Sequence, residues 1–122
     1  MVGIDPDDVV PALQRHLVRE GHCQVGVTPA REEPMHATRL DPDSKWVQWA
    51  VKSIERTTGA RPAILPNLGG SLPNEVFADT LKLPTIWIPH SYTACSQHAP
   101  NEHMLGSIAR QGLGIMAGIF WD

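Results

Sequence analysis

The sequence contains little cysteine, no long apolar run and no cluster of basic residues. Its two cysteines, Cys23 and Cys95, form no CxxC pair, so neither a disulfide framework nor a cysteine-rich zinc motif is expected. No stretch approaches the roughly 20 apolar residues that a membrane helix needs. The formal net charge is -3 and the basic residues are scattered, which gives no electrostatic reason to expect nucleic acid or a membrane as a partner.

A secretion signal is also missing from the first residues. The opening MVGIDPDDVV is acidic and lacks the basic-then-apolar layout of a signal peptide. Two unpaired thiols are typical of a reducing compartment, so we expect a cytoplasmic protein. The hydrophobic fraction of 42% and charged fraction of 19% are those of a globular chain of about one domain.

Three segments carry the start, period and stop signals of helices. Asp5-Pro6 begins the first, and Gly21 closes it. The residues from Asp41 to Ser44 begin the second, which Gly59 ends. Its apolar stripe consists of Trp46, Val47, Ala50, Val51 and Ile54. The last helix is predicted from apolar residues at near-helical intervals, from Leu105 to Ile119.

Three short apolar runs are predicted to be strands: CQVGVTPA (23–30), AILPN (63–67) and LPTIWIP (83–89). Between the last two, Ser71-Leu72-Pro73 can cap a short helix that ends near Leu81. From Asp41 onward the order is helix, strand, short helix, strand and long helix, which favours an α/β layered fold with a largely parallel sheet. Two strands do not make a stable sheet, so we expect the others to come from elsewhere and this chain to be part of a larger fold.

The segment richest in chemistry is HSYTACSQHAPNEH (90–103), directly after the last predicted strand. Ligands of open α/β sheets bind beyond the C-terminal ends of strands, and this loop contains His90, His98 and His103. Neutral imidazole is a common zinc ligand. A loop histidine is nevertheless more often a hydrogen-bonding or solvated residue, and Asn101 and Glu102 equally suit the start of the last helix.

A second candidate site is the turn Gly69-Gly70-Ser71. Two glycines let the backbone approach a ligand closely, and free N–H groups at the next helix start would favour an anion. A capped turn between strand and helix explains the same residues without any ligand.

GGSLPNEVF (69–77) and LPTIWIPHSYTACSQHAPNEH (83–103) resemble the C-terminal catalytic half of one family of zinc-dependent exopeptidases and amidohydrolases. This family contains carnosine dipeptidase, aminoacylase, acetylornithine deacetylase and succinyl-diaminopimelate desuccinylase, and the likeness is strongest to its dipeptidase-like branch. In that branch a GGS turn precedes a strand that ends in proline, followed by a histidine, a polar residue, Asn and Glu. The resemblance covers nearly the whole chain, with residues 42–122 as its specific part.

The resemblance implies a fold of two parts. Residues 1–38 would be the C-terminal tail of an α+β lid domain that mediates dimerisation. Residues 39–122 would be the C-terminal half of a layered α/β, phosphorylase/hydrolase-like zinc peptidase catalytic domain. We therefore expect a homodimer, with no nucleic acid and no membrane as partners.

The resemblance also implies a site. His98 matches the last metal-ligand histidine of the family. The intact enzymes of this family bind two zinc ions, and manganese or cobalt are alternatives to zinc. Gly69, Gly70 and Ser71 match a contact to the substrate carboxylate, and Asn101 and Glu102 match supports of the loop. No general base is expected in this chain, and the roles of His36, His90 and His103 are left open.

The implied activity is hydrolysis of dipeptides or N-acyl amino acids by the intact metallopeptidase. One histidine cannot hold a two-metal centre, since a catalytic zinc needs about three protein ligands. We therefore expect the isolated chain to be inactive. The alternative is a stand-alone, noncatalytic dimerisation or interaction module.

Overall fold

A computed structural model describes residues 2–30, 35–66, 68–70 and 72–122. These residues form three α-helices: α1 (Val9–Arg19), α2 (Lys45–Thr58) and α3 (Gly106–Trp121). Short 3-10 turns span Pro6–Asp8 and Thr93–Cys95, and a single π-helical turn spans Val76–Thr80. No β-strand occurs in the described part of the chain. The predicted α/β layered fold is therefore wrong, and the structure is helical.

The failed strand predictions have a common physical reason. Residues 23–30, 63–66 and 83–89 are described and contain no strand, while Asn67 of the second run lies outside the described residues. An apolar run indicates burial, but a strand forms when a neighbouring strand takes up its backbone N–H and C=O groups. The apolar composition of these runs predicted strands, but it contains no information on whether a neighbouring strand is present to pair with them.

The predicted start of α2 is confirmed, and the predicted cap Asp5 begins the 3-10 turn that leads into α1. Asp5 accepts a hydrogen bond from the Asp7 N–H at 3.0 Å. Ser44 caps α2 and accepts from the Val47 N–H at 3.4 Å. In both cases a side-chain oxygen satisfies a backbone donor that the helix itself leaves without a partner.

The predicted ends of these helices are confirmed as well. Gly59 caps α2 with a left-handed φ of 75°, and its N–H donates to the Glu55 carbonyl at 2.9 Å. Gly21, just past α1, has a φ of 84°. Glycine adopts this conformation without the steric cost that a β-carbon brings.

The last two helix predictions differ in outcome. The long C-terminal helix is confirmed as α3, with Leu105 as its N-cap. The short helix is present from Asn74, but its second part is the π-helical turn that ends at Thr80. Its predicted cap, Ser71, lies outside the described residues.

The chain divides into two compact units. Unit 1 comprises Met1–Arg39 and Asn67–Thr85, and unit 2 comprises Leu40–Pro66 and Ile86–Asp122. Within unit 1, the Asn74 side-chain amide donates to the Thr38 hydroxyl at 2.6 Å. The boundary predicted from the sequence lies between residues 38 and 39. In the structure, residues 67–85 belong to the same unit as the N-terminal segment.

Unit 2 is organised around the packing of α2 on α3. On α2, Ala50, Val51 and Ser53 are buried, and on α3 Gly112 is buried. Small side chains let the two backbones approach closely. Large apolar side chains, by contrast, remain exposed: Leu113 is 73% exposed and Phe120 is 93% exposed. The described residues therefore leave much apolar surface uncovered.

An ion pair joins the ends of these two helices. The guanidinium of Arg56 binds the carboxylate of Asp122. The hydroxyl of Ser53 and the guanidinium of Arg56 together hold the pKa of Asp122 below its ordinary value of 3.8. Ser53 is fully buried beside this ion pair.

None of the helices in the described ranges combines the length and the apolar character needed to cross a membrane.

Candidate functional site

The candidate site is the histidine loop, defined as residues 90–104 of unit 2. A 3-10 turn at its start is closed by the Cys95 N–H, which donates to the Tyr92 carbonyl at 3.0 Å. Ser96 then takes a left-handed φ of 56°, and the Ala99 N–H donates to its carbonyl at 2.9 Å. Cys95 is 7% exposed, so it anchors the loop as a buried apolar side chain.

The two ends of the loop are joined through His103. Its backbone N–H donates to the Cys95 carbonyl at 3.0 Å. Its ring lies 2.8 Å from the Asn101 carbonyl through Nδ1 and 2.5 Å from the Tyr92 hydroxyl through Nε2. A carbonyl only accepts, so Nδ1 carries the proton. In the neutral ring Nε2 therefore accepts from the hydroxyl of Tyr92.

His98 lies near the middle of the loop in sequence, and it is exposed. Its backbone has a left-handed φ of 61°, and its N–H donates to Glu102 Oε2 at 3.3 Å. Asn101 is also left-handed, with a φ of 63°. Non-glycine residues adopt this region at an energetic cost of order 1–3 kcal/mol each and persist there when the surrounding structure imposes it. The Glu102 carboxylate accepts from the His98 N–H, and the Asn101 carbonyl accepts from His103 Nδ1; the predicted role of Asn101 and Glu102 as loop supports stays a prediction.

An open cavity of about 300 Å³ lies within the histidine loop. Its lining is mixed polar and apolar, and it includes several of the candidate side chains: His90, Ser91, Tyr92, Cys95, Glu102 and His103. His98 is not among the residues that line the cavity. The exposed imidazole and the cavity are therefore separate features of one loop.

His90 packs against α3. A β-carbon at Gly112 would lie 2.8 Å from His90 Nδ1 and 3.0 Å from its Cγ. The helix accommodates the imidazole because residue 112 has no side chain. This contact gives His90, which the sequence left unassigned, a packing role at the start of the loop.

The metal prediction concerns the His, Cys, Asp and Glu side chains of the chain. Within the described residues, no group of three or more His, Cys, Asp or Glu side chains could hold a metal ion together. A catalytic zinc needs about three protein ligands and a water. No such group occurs around His98 in the described part of the chain, and its predicted ligand role stays a prediction.

The predicted substrate contacts lie in unit 1, in the turn at residues 69–71. Gly69 and Gly70 are exposed, and a β-carbon at Gly69 would meet no atom within 4 Å. Ser71 lies outside the described residues, so its predicted contact to a substrate carboxylate stays a prediction.

Comparison with known proteins adds no relative: no family model, curated protein or solved structure matches the chain. The resemblance to zinc-dependent exopeptidases therefore depends on the two motifs, residues 69–77 and 83–103.

Sequence reasoning missed the pairing of Tyr92 with His103. The two residues are eleven positions apart in a segment without helical or strand period, so spacing gave no signal that they meet. The available hint was chemical, since a tyrosine and an unassigned histidine occur at opposite ends of a short polar loop.

Proposed function

We propose that this chain supplies the metal-ligand histidine His98 to a hydrolase that cleaves amide bonds with metal-activated water. Within that class, the proposed protein is a dipeptidase-like metallopeptidase with two metal ions, acting on dipeptides or N-acyl amino acids. The observation that supports it best is the histidine loop, which holds an exposed imidazole on a hydrogen-bonded backbone and coincides with the HAPNE motif of the resemblance.

The geometry of His98 suits a ligand whose partners lie on other segments. Such an imidazole has to be accessible, and His98 is exposed. It also has to be held in place, and the Glu102 carboxylate binds the backbone N–H of His98. In metal sites the ring of a ligating histidine is usually oriented by an acceptor for its second N–H, whereas the bond from Glu102 holds the backbone of His98.

In this proposal, the remaining ligands come from residues other than the described ones of a single copy of this chain. Two bound zinc, manganese or cobalt ions would supply a water of lowered pKa and stabilise the oxyanion that develops at the cleaved carbonyl. This chain would contribute His98 as a ligand, and the turn at residues 69–71 as a contact to the substrate carboxylate. The general base is not assigned to any residue here.

A noncatalytic dimerisation module is the second candidate, and α3 favours it. Leu113, Met116 and Phe120 are spaced by three and four residues, so they share one face of the helix. They are 73%, 46% and 93% exposed. An apolar helix face of this kind is typical of an association surface, and a second copy of the chain could cover it.

One experiment tests the first proposal. The reading frame on both sides of this sequence is determined, and the protein that contains it is purified and assayed for zinc content and dipeptide hydrolysis. We expect further His, Asp and Glu ligands outside the sequence and metal-dependent turnover. His98→Asn should lower zinc content and activity together, while His22→Asn, an exposed histidine of unit 1, should change neither.

Two results would contradict the proposed metal-ligand role or favour the alternative. Full zinc content and full turnover in His98→Asn would reject the ligand role. The dimerisation module would be supported instead if the protein consists of these residues alone and is a stable dimer. The double variant Leu113→Glu/Phe120→Glu should then be monomeric. Analytical ultracentrifugation distinguishes the two states.

A further inference from the structure

We draw no further inference here: the strongest candidate, the exposed apolar face of α3 formed by Leu113, Met116 and Phe120 in unit 2, is already the basis of the dimerisation alternative, and nothing in the described part of the chain shows what covers it.

Discussion

Gly118 of α3 lies directly against Thr57 of α2. A β-carbon at position 118 would overlap the Thr57 Oγ1 atom and would lie 3.6 Å from Ser53 Oγ. The close packing of the two helices therefore depends on the absence of a side chain at this one position.

Gly118→Ala should consequently lower the free energy of unfolding. Overpacking typically costs about 1–3 kcal/mol, and the better helix propensity of alanine returns up to about 1 kcal/mol. Gly114→Ala is the control, since its β-carbon would meet Thr57 Cγ2 at an ordinary 3.8 Å; it should be neutral or stabilising. Urea denaturation measures both. Equal stability of the two variants, or no recovery in Thr57→Ala/Gly118→Ala, would contradict the packing described here.

Gly112→Ala in α3 should displace His90, the first residue of the histidine loop. The new β-carbon would come within 2.8 Å of His90 Nδ1 and 3.4 Å of its Cβ, so the imidazole has to move, at a cost of about 1 kcal/mol or more. NMR signals of His90 should shift. Gly106→Ala is the comparison, because its β-carbon would meet only the flexible end of Arg110, at 3.5 Å. Unchanged His90 signals in Gly112→Ala would refute the contact.

Asp122 should make the stability of unit 2 dependent on pH. The Ser53 hydroxyl and the Arg56 guanidinium lower the pKa of Asp122 in the folded chain, so folding favours the ionised carboxyl. This contribution is fully present above the unfolded pKa, near 3.8, and is lost as the pH falls through the folded pKa. Asp122→Asn should reduce the acid-side slope of the free energy of unfolding, measured by denaturation at a series of pH values. Ser53→Ala should raise the pKa of Asp122. An unaltered slope in Asp122→Asn would argue against the ion pair.

Ser44→Ala should destabilise α2. The Ser44 side chain accepts from the Val47 N–H, and loss of such a cap typically costs about 1 kcal/mol. Ser44→Asp keeps an acceptor at the same position and should retain most of the stability. Circular dichroism during thermal unfolding gives the melting temperatures of the wild type and of both variants. A melting temperature of Ser44→Ala equal to those of the wild type and Ser44→Asp would mean that the cap contributes nothing.

The isolated 122-residue chain should not hydrolyse dipeptides, whether zinc, manganese or cobalt is added. His98 offers one imidazole, and a catalytic zinc needs about three protein ligands. The check combines a dipeptide assay with metal analysis after dialysis. Turnover that is abolished by a chelator and by His98→Asn would show that the chain assembles a metal site alone, for instance between copies.

The helices were predictable from the sequence, and the reason is visible at particular residues. The cap at Ser44 and the left-handed stop at Gly59 act within a few residues of the backbone groups that they satisfy, so local sequence contains the whole signal. The loop that carries His98 was located in the same way, by its polar composition after an apolar run. Its internal bonds were not predictable, because no local rule joins Tyr92 to His103.

The sequence by itself determined where α2 begins and ends, that helices occur at α1 and α3, and which polar loop holds three of the six histidines. It did so because caps, helical period and glycine stops depend on neighbouring residues. Tertiary structure alone decided that residues 83–89 form no strand, that Gly118 must lack a side chain, and that Tyr92 closes the loop on His103. Each of these depends on which distant atoms meet, because a strand or a side-chain hydrogen bond forms only when its partner is present.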